Sequence, residues 1–396
     1  MLRFQNCFFS SFRHCWIFSL SKKMTDSIRD NQISISSKII EFSSIMVVNF
    51  MLLSSFLSIG SAAPTPQNDE DLREYRKPYN NTYPLSPIKR QGSTFELKFA
   101  TIADQDKLAV VDMKKYKSYI KYGYLYIDPR SLKVKIHFEQ GEHEIFSPYN
   151  YAGRGMELSD LVVFNGKLYT CDDKSGIVFE IKSPRLIIPW VILATGDGES
   201  SGKGFKCEWM TVKSQRMFVG SFGVEIERNY DLQWVKRIDP WGHVDSLNWR
   251  HRFELLRQVA GVAPRGYLSH EAAAFDSWEQ EWLFLPRKAS VEAYDEKKDE
   301  TSGANLLLIA DYAFRKLSRY TVGPLRPTHG FSSVKIIPGI NKYLPQTIKE
   351  VAIALKTMEV GNSLETVIIV FTIPKGEVLY NETFTTSIKY EGIEFV

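Results

Sequence analysis

Only four of the 396 residues are cysteine and seven are histidine, and charge nearly cancels, with 50 Lys and Arg against 46 Asp and Glu. So few cysteines cannot build a disulfide framework. Near-neutrality removes the electrostatic basis for binding nucleic acid, which needs a clustered basic surface. The small basic surplus is also misplaced, because residues 1–63 carry six basic and three acidic side chains and leave the rest close to neutral. There is no Asp-rich EF-hand loop, and helix signals are scarce. A single long apolar stretch argues against a multi-span membrane protein. At 44% hydrophobic and 13% aromatic, the chain is too apolar for disorder and long enough for a sizeable core.

The apolar stretch reads as an address. No charge occurs between Phe42 and Asn68, and Met46–Ile59 is strongly apolar before Gly60-Ser61-Ala62-Ala63, the small-residue pattern of a signal-peptidase site. A second apolar cluster, Cys7 to Leu20, lies upstream, so Met24 or Met46 is the expected working initiator. Residues 1–63 are assigned as a leader and the chain as secreted. The alternative is an uncleaved single-pass anchor in the secretory-pathway lumen, the one case in which a membrane is a partner. Sequons at Asn80-Asn81-Thr82 and Asn381-Glu382-Thr383 suit that route and predict a glycoprotein.

Residues 64–94 are rich in Pro, Asn and Ser and are expected to form a flexible arm. Residues 95–396 read as short strands with turn punctuation. The clearest stretch is Met156–Ile181, where Asn165-Gly166 separates two apolar runs. That dipeptide is a strong hairpin signal, because a type I′ turn needs positive φ at both central residues. Pro189–Ala194 supplies a fourth strand, and four antiparallel strands in about 40 residues make one propeller blade. Asn248–Ala260 is the one helix expected.

A weak repeat points to the architecture. MELSDLVVF, KCEWMTV, SHEAAAF, GFSSVKII and KYEGIEFV align Ser159, Glu208, Glu271, Ser332 and Glu391 in one column, with intervals of 49 to 63 residues. The reading is all-β, a five-bladed propeller. The last repeat ends at Val396 and has no room for further strands, so the strands of Phe95–Phe138 complete its blade and close the ring. First strands line the axis of a propeller, so the column would converge there. Three carboxylates in one small volume need a cation. Hard oxygen donors without His or Cys suit Ca²⁺ better than zinc or copper.

Arg154–Ile181, Gly196–Lys213, Gly266–Ala273, Phe284–Ser290, Pro327–Lys335 and Lys389–Val396 closely resemble, in order, motifs of the calcium-activated nucleotidases. These are the Cimex-type apyrases of blood-feeding arthropods and their vertebrate secretory-pathway relatives. The resemblance implies a five-bladed propeller with axial Ca²⁺ that hydrolyses nucleoside di- and triphosphates, such as ATP and ADP, to release phosphate. It implies Ser159, Glu208, Glu271, Ser332 and Glu391 as calcium ligands, the column found above. It further implies Arg154, Lys206 and Arg287 as clamps on phosphate, with Asp173, Asp104 or Asp106 activating water. In a blood feeder such an enzyme would suppress ADP-driven platelet aggregation. Gln233 stands where vertebrate members carry Glu, and Ser246–Trp249 (SLNW) departs from a HENW-like run, which bears on nucleotide preference rather than reaction class. The alternatives are a luminal UDP/GDP diphosphatase and a non-enzymatic, calcium-stabilised nucleotide-binding propeller. No nucleic-acid partner is expected, and the chain is taken as a monomer.

Two other motifs fail on context. Gly198–Gly202 matches G-x-S-x-G, but a strand rather than a helix is expected after it. Gly196 to Lys203 has the wrong spacing for a phosphate loop, and Gly204 stands where Ser or Thr should bind a metal. His329 reads as a structural hydrogen-bonding residue. Cys171 and Cys207 remain once the leader is removed, either bridged or as two buried thiols.

Overall fold

The computed structural model describes residues 77–396. The leader expected at 1–63 and most of the arm lie outside them. Among the described residues no helix is long and apolar enough to cross a membrane.

Pro78–Val396 forms one compact unit of antiparallel sheets. The first sheet holds β1 (Lys89–Gln91), β2 (Thr94–Ala103), β3 (Val110–Asp112), β4 (Lys115–Asp128), β5 (Lys133–Phe138) and β6 (His143–Ser147). Next come β7 (Leu158–Phe164), β8 (Lys167–Asp172), β9 (Ile177–Ser183) and β10 (Leu186–Ile192), then β11 (Trp209–Lys213), β12 (Arg216–Gly220), β13 (Trp234–Ile238) and β14 (Val244–Asn248). Helix α1 (Arg250–Ala260) leads to β15 (Tyr267–Asp276) and β16 (Glu281–Ser290), the short α2 (Glu296–Asp299), β17 (Leu306–Asp311) and β18 (Leu317–Thr321). The chain finishes with β19 (His329–Ile336), β20 (Glu350–Val360), β21 (Ser363–Ile373), β22 (Val378–Thr385) and β23 (Tyr390–Phe395).

The arrangement is an all-β propeller, with one correction to the expectation of five blades. Four sheets are four-stranded blades, β7–β10, β11–β14, β15–β18 and β19–β22, whereas the remaining sheet has seven strands. Strand β23 joins that sheet through β2, with Phe99 opposite Phe395 and Thr101 opposite Ile393. The extra strands arise because β4 is 14 residues long and pairs with β5 over one half and β6 over the other.

The inner blade strands are buried on both faces, which is why their sequences read as continuous apolar runs, whereas the outermost strands β10, β14, β18 and β22 are half-buried or exposed. β7 and most of β20 and β21 are buried throughout, since each sheet is packed between two neighbours. The largest cluster of buried apolar side chains among the described residues lies between the third and fourth blocks of strands, where Trp209, Phe218, Trp249, Trp282, Phe284 and Phe314 meet α1. Strand β7 packs on β11, β11 on β15, β15 on β19, β19 on β23, and β23 on β7. Gly392 permits the last approach, because a Cβ there would stand 2.6 Å from Asp160 Cα. The hairpin at Asn165-Gly166 forms as expected, with φ of 51° and 69°. Helix α1 follows Asn248, whose Oδ1 accepts the Arg250 amide at 3.0 Å and satisfies one orphan donor of the first turn. Of the expected arm, Tyr79 packs on Phe164 and the Tyr83 hydroxyl donates to Glu394 at 2.9 Å.

Cys171 on β8 and Cys207, just before β11, form a disulfide between adjacent blades. The bridge closes a loop of 36 residues, worth about 4 kcal/mol on the chain-entropy model. Peptide mapping without reductant will recover the two cysteines on one linked fragment, and Cys171→Ser/Cys207→Ser will unfold at lower denaturant. Two alkylated free thiols at these positions would refute the bridge.

Candidate functional site

The column positions are built by a repeated irregularity. Ser159, Glu271, Ser332 and Glu391 each fall at a register shift in the pairing of their strand, β7, β15, β19 and β23 respectively. A bulged residue is left out of the ladder, and its side chain is re-aimed. Glu208 stands immediately before β11, held by its amide on the Gly220 carbonyl at 2.8 Å. All five residues are buried.

A cleft of about 720 Å³ opens over the column, lined by Asp104, Asp106, Asp173, Lys206, Glu208, Glu271, Arg287 and Glu391 among the expected site residues. Ser159 and Ser332 lie outside its lining, as does Arg154, whose guanidinium pairs with Glu157 and reaches Asp106 at 3.2 Å. Lys174, Glu359 and Lys389 line the cleft and were missed from the sequence. Glu157, beneath Arg154, was missed as well. A signal existed for two of these four. Glu157 and Lys389 each stand two residues before a column member, the position that strand alternation turns to the same side. Lys206 stands likewise before Glu208.

Ion pairs knit the cleft across elements. Asp104 follows β2, and its Oδ1 accepts the Asp106 amide at 2.7 Å. Lys389 joins Asp104 at 2.9 Å, Asp106 at 2.7 Å, Glu359 at 3.0 Å and Glu391 at 3.5 Å. Arg287 bridges Glu271, Glu391 at 2.8 Å and Glu359 at 2.7 Å. Lys206 pairs with Asp173 and with Glu208 at 2.9 Å. Asp173 sits in a turn shaped by Asp172, whose Oδ1 accepts the Lys174 and Ser175 amides at 2.9 and 3.2 Å. His329 is a structural residue, with Nε2 3.0 Å from Glu365 and Nδ1 2.9 Å from Thr328. Residues 196–203, the glycine-containing loop, do not line the cleft.

Burial pushes the Glu391 carboxyl up to about 8, with Asp104 and Glu271 adding to the shift and Lys389 and Arg287 opposing it. Burial also raises Glu208 well above its ordinary value, and Glu271 moves the same way. For Lys206, Arg287 and Lys389 burial alone acts downward, but the surrounding carboxylates outweigh it and hold all three well above their usual values. Eleven carboxylates line the cleft, Asp104, Asp106, Asp173, Glu208, Glu225, Glu227, Glu271, Asp299, Glu300, Glu359 and Glu391, against five cations, Lys174, Lys206, Arg287, Lys288 and Lys389. The excess is negative and includes the three column carboxylates, Glu208, Glu271 and Glu391.

The residues present fit a hard cation. Ser159 Oγ and Ser332 Oγ are buried without a hydrogen bond among the described residues, as is Asp173 Oδ1, and Glu208 Oε1 meets Lys206 Nζ at 2.9 Å. Two of the three orphaned atoms, Ser159 Oγ and Ser332 Oγ, belong to the column, and orphaned buried oxygens are costly unless something binds them. Asp104, Asp106 and Glu157 also bring carboxylate oxygens within 4.8 Å of one another and could hold a metal; Lys389 and Arg154 compensate that trio, just as Lys206, Arg287 and Lys389 compensate the three column carboxylates.

The family model described as Apyrase matches residues 103–396. The chain is 42% identical over 325 residues to mouse "Soluble calcium-activated nucleotidase 1", covering 80% of this chain and 78% of the mouse protein. It is 37% identical over 362 residues to the "Apyrase" of Cimex lectularius, covering 89% and 93%. With the "Apyrase" of Phlebotomus duboscqi it shares 38% over 305 residues, covering 75% and 87%. With a match spanning most of its length and relatives above 30% identity, the chain belongs to the apyrase family.

Proposed function

We propose that this protein is a Ca²⁺-dependent hydrolase that releases phosphate from nucleoside di- and triphosphates. The observation that carries this reading is the convergence, in one cleft, of the cations Lys206, Arg287 and Lys389, able to take phosphate, with the column carboxylates Glu208, Glu271 and Glu391, hard oxygen donors able to take a metal. Ser159, Glu208, Glu271, Ser332 and Glu391 would hold the ion. When bound, Ca²⁺ supplies positive charge and Lewis acidity toward phosphate oxygens.

The chain's own groups supply the rest. Arg287, buried, and Lys206, half-buried, are donors that neutralise charge on the phosphoryl oxygens. Lys389 adds to them, held in place by Asp104 and Asp106. Arg154 acts from behind by fixing Asp106 and Glu157. Asp173 spends Oδ2 on Lys174 and Lys206 and keeps Oδ1 free, so Oδ1 is the acceptor for the attacking water. Burial would raise this carboxyl, but Lys206 and Lys174 hold it below its ordinary value. It therefore orients the water more than it strips its proton.

Phosphate release from ATP, ADP, UDP and GDP, each with Ca²⁺, Mg²⁺ or chelator, tests the reading. Turnover will need Ca²⁺, and Mg²⁺ will substitute poorly because it demands octahedral geometry and dehydrates reluctantly. Equal rates with the two ions would exclude the column as the metal site.

Two further points belong to this proposal. The seven-stranded sheet serves as the fifth blade and closes the ring, which is supported by the β23–β2 pairing and by apolar cores on both sides of that sheet. The leader routes the protein out of the cell, where removing ATP and ADP would quench ADP-driven platelet aggregation. A luminal UDP/GDP diphosphatase would instead favour UDP and GDP in the same substrate panel.

A further inference from the structure

The cleft offers more than its charged floor. At about 720 Å³ it falls in the range that encloses a whole small-molecule ligand. The ion-paired groups of the floor are buried or half-buried, whereas the rim carries exposed apolar side chains. Tyr294, from the β16–α2 connection, is 67% exposed and Ile226, from the β12–β13 connection, 54%. Both line the same cleft as Lys206 and Arg287.

Each of these rim residues is held in place. The Tyr267 hydroxyl donates to Asp299 Oδ1 at 2.6 Å, and its ring meets Tyr294 edge-on with centroids 5.7 Å apart. Ile226 and Asn229 exchange backbone hydrogen bonds of 3.1 and 2.7 Å around a two-residue turn. Glu227 and Arg228 in that turn have φ of 49° and 63°, a conformation that non-glycine residues adopt at a cost. Phe222 joins rim to floor, because Lys206 Nζ lies 4.6 Å over its ring.

We propose that Tyr294, braced by Tyr267, and Ile226 form the wall on which the base of a nucleotide stacks while Lys206 and Arg287 take its phosphates. The assignment rests on the reading of the cleft as a nucleotide site and adds what that reading lacks, a means of preferring a nucleotide to bare polyphosphate. Stacking on an aromatic ring tolerates every base, because each has a π-face, so the wall selects the nucleoside as a class.

The test uses two ratios. One is kcat/KM for ADP over that for inorganic tripolyphosphate. The other is affinity for a non-hydrolysable, methylene-bridged ADP analogue over that for methylenediphosphonate. Tyr294→Ala will lower both about tenfold, chiefly through KM, and Tyr294→Phe will keep them. The exposed position makes misfolding a minor concern, which a melting curve checks. Unchanged ratios in both Tyr294→Ala and Ile226→Ala, or equal wild-type affinity for the two analogues, overturn the wall. If no substrate releases phosphate, the hydrolytic reading fails, while the affinity ratio still decides the wall.

Discussion

Glu208→Ala and Glu391→Ala will each lower phosphate release at least about a hundredfold, and each will shrink the rise in melting temperature that Ca²⁺ gives the wild type. A ligand stabilises only through the state it binds, by about 2.7 kcal/mol at a hundredfold excess over its dissociation constant. Losing a ligand oxygen weakens that binding and forfeits the stabilisation. The sign in chelator is the informative part. Glu208 is raised well above its ordinary value by burial, with Glu271, Asp173 and Glu391 adding to the shift. Without metal its charge is therefore a burden, and Glu208→Ala in chelator will melt no lower than wild type. Calorimetry with and without Ca²⁺ measures both effects. Wild-type-like Ca²⁺ shifts in both variants would exclude metal binding by the column.

Much of this site was legible because propellers repeat. The strands around Met156–Ile181, the turn at Asn165-Gly166 and the helix after Asn248 follow from local pattern, and the structure has them. Aligning five apolar strands also picked out Glu208, Glu271 and Glu391, which line one cleft, whereas Ser159 and Ser332 lie outside its lining. The sequence says less about how they are aimed. Four column residues depend on bulges, and a bulge is a property of a strand pair, invisible in either strand alone. The extra strands of the first sheet arise similarly, from β4 finding two partners along its length. Lys174 and Glu359 were missed because each reaches the cleft from outside the repeat, one in the turn after β8 and one at the end of β20. Arg154 was expected to clamp phosphate, yet the local spacing to Glu157 gives it a nearer partner. Ile226 and Tyr294 sit in connections whose shape is set by backbone turns rather than by apolar periodicity.

Arg287→Ala will separate structural from chemical roles in the same cluster. Its guanidinium joins Glu271 on β15, Glu391 on β23 and Glu359 on β20. Removing it leaves three clustered carboxylates short of a counter-charge, and breaking a buried pair from one side costs about 3–5 kcal/mol. In chelator the variant will therefore unfold at clearly lower denaturant. Saturating Ca²⁺ will restore most of that stability, because a cation beside Glu271 and Glu391 neutralises the charges that Arg287 left behind. Turnover will stay down about a hundredfold or more, since the metal cannot also replace a planar donor aimed at phosphate. Arg287→Lys will recover stability better than activity, as one ammonium supplies charge without the fork that spans two acceptors. Recovery of both properties in Arg287→Ala on adding Ca²⁺ would reduce Arg287 to a counter-charge and remove it from the phosphate clamp. Undiminished stability in chelator would show that the three-way ion pair contributes nothing to the fold.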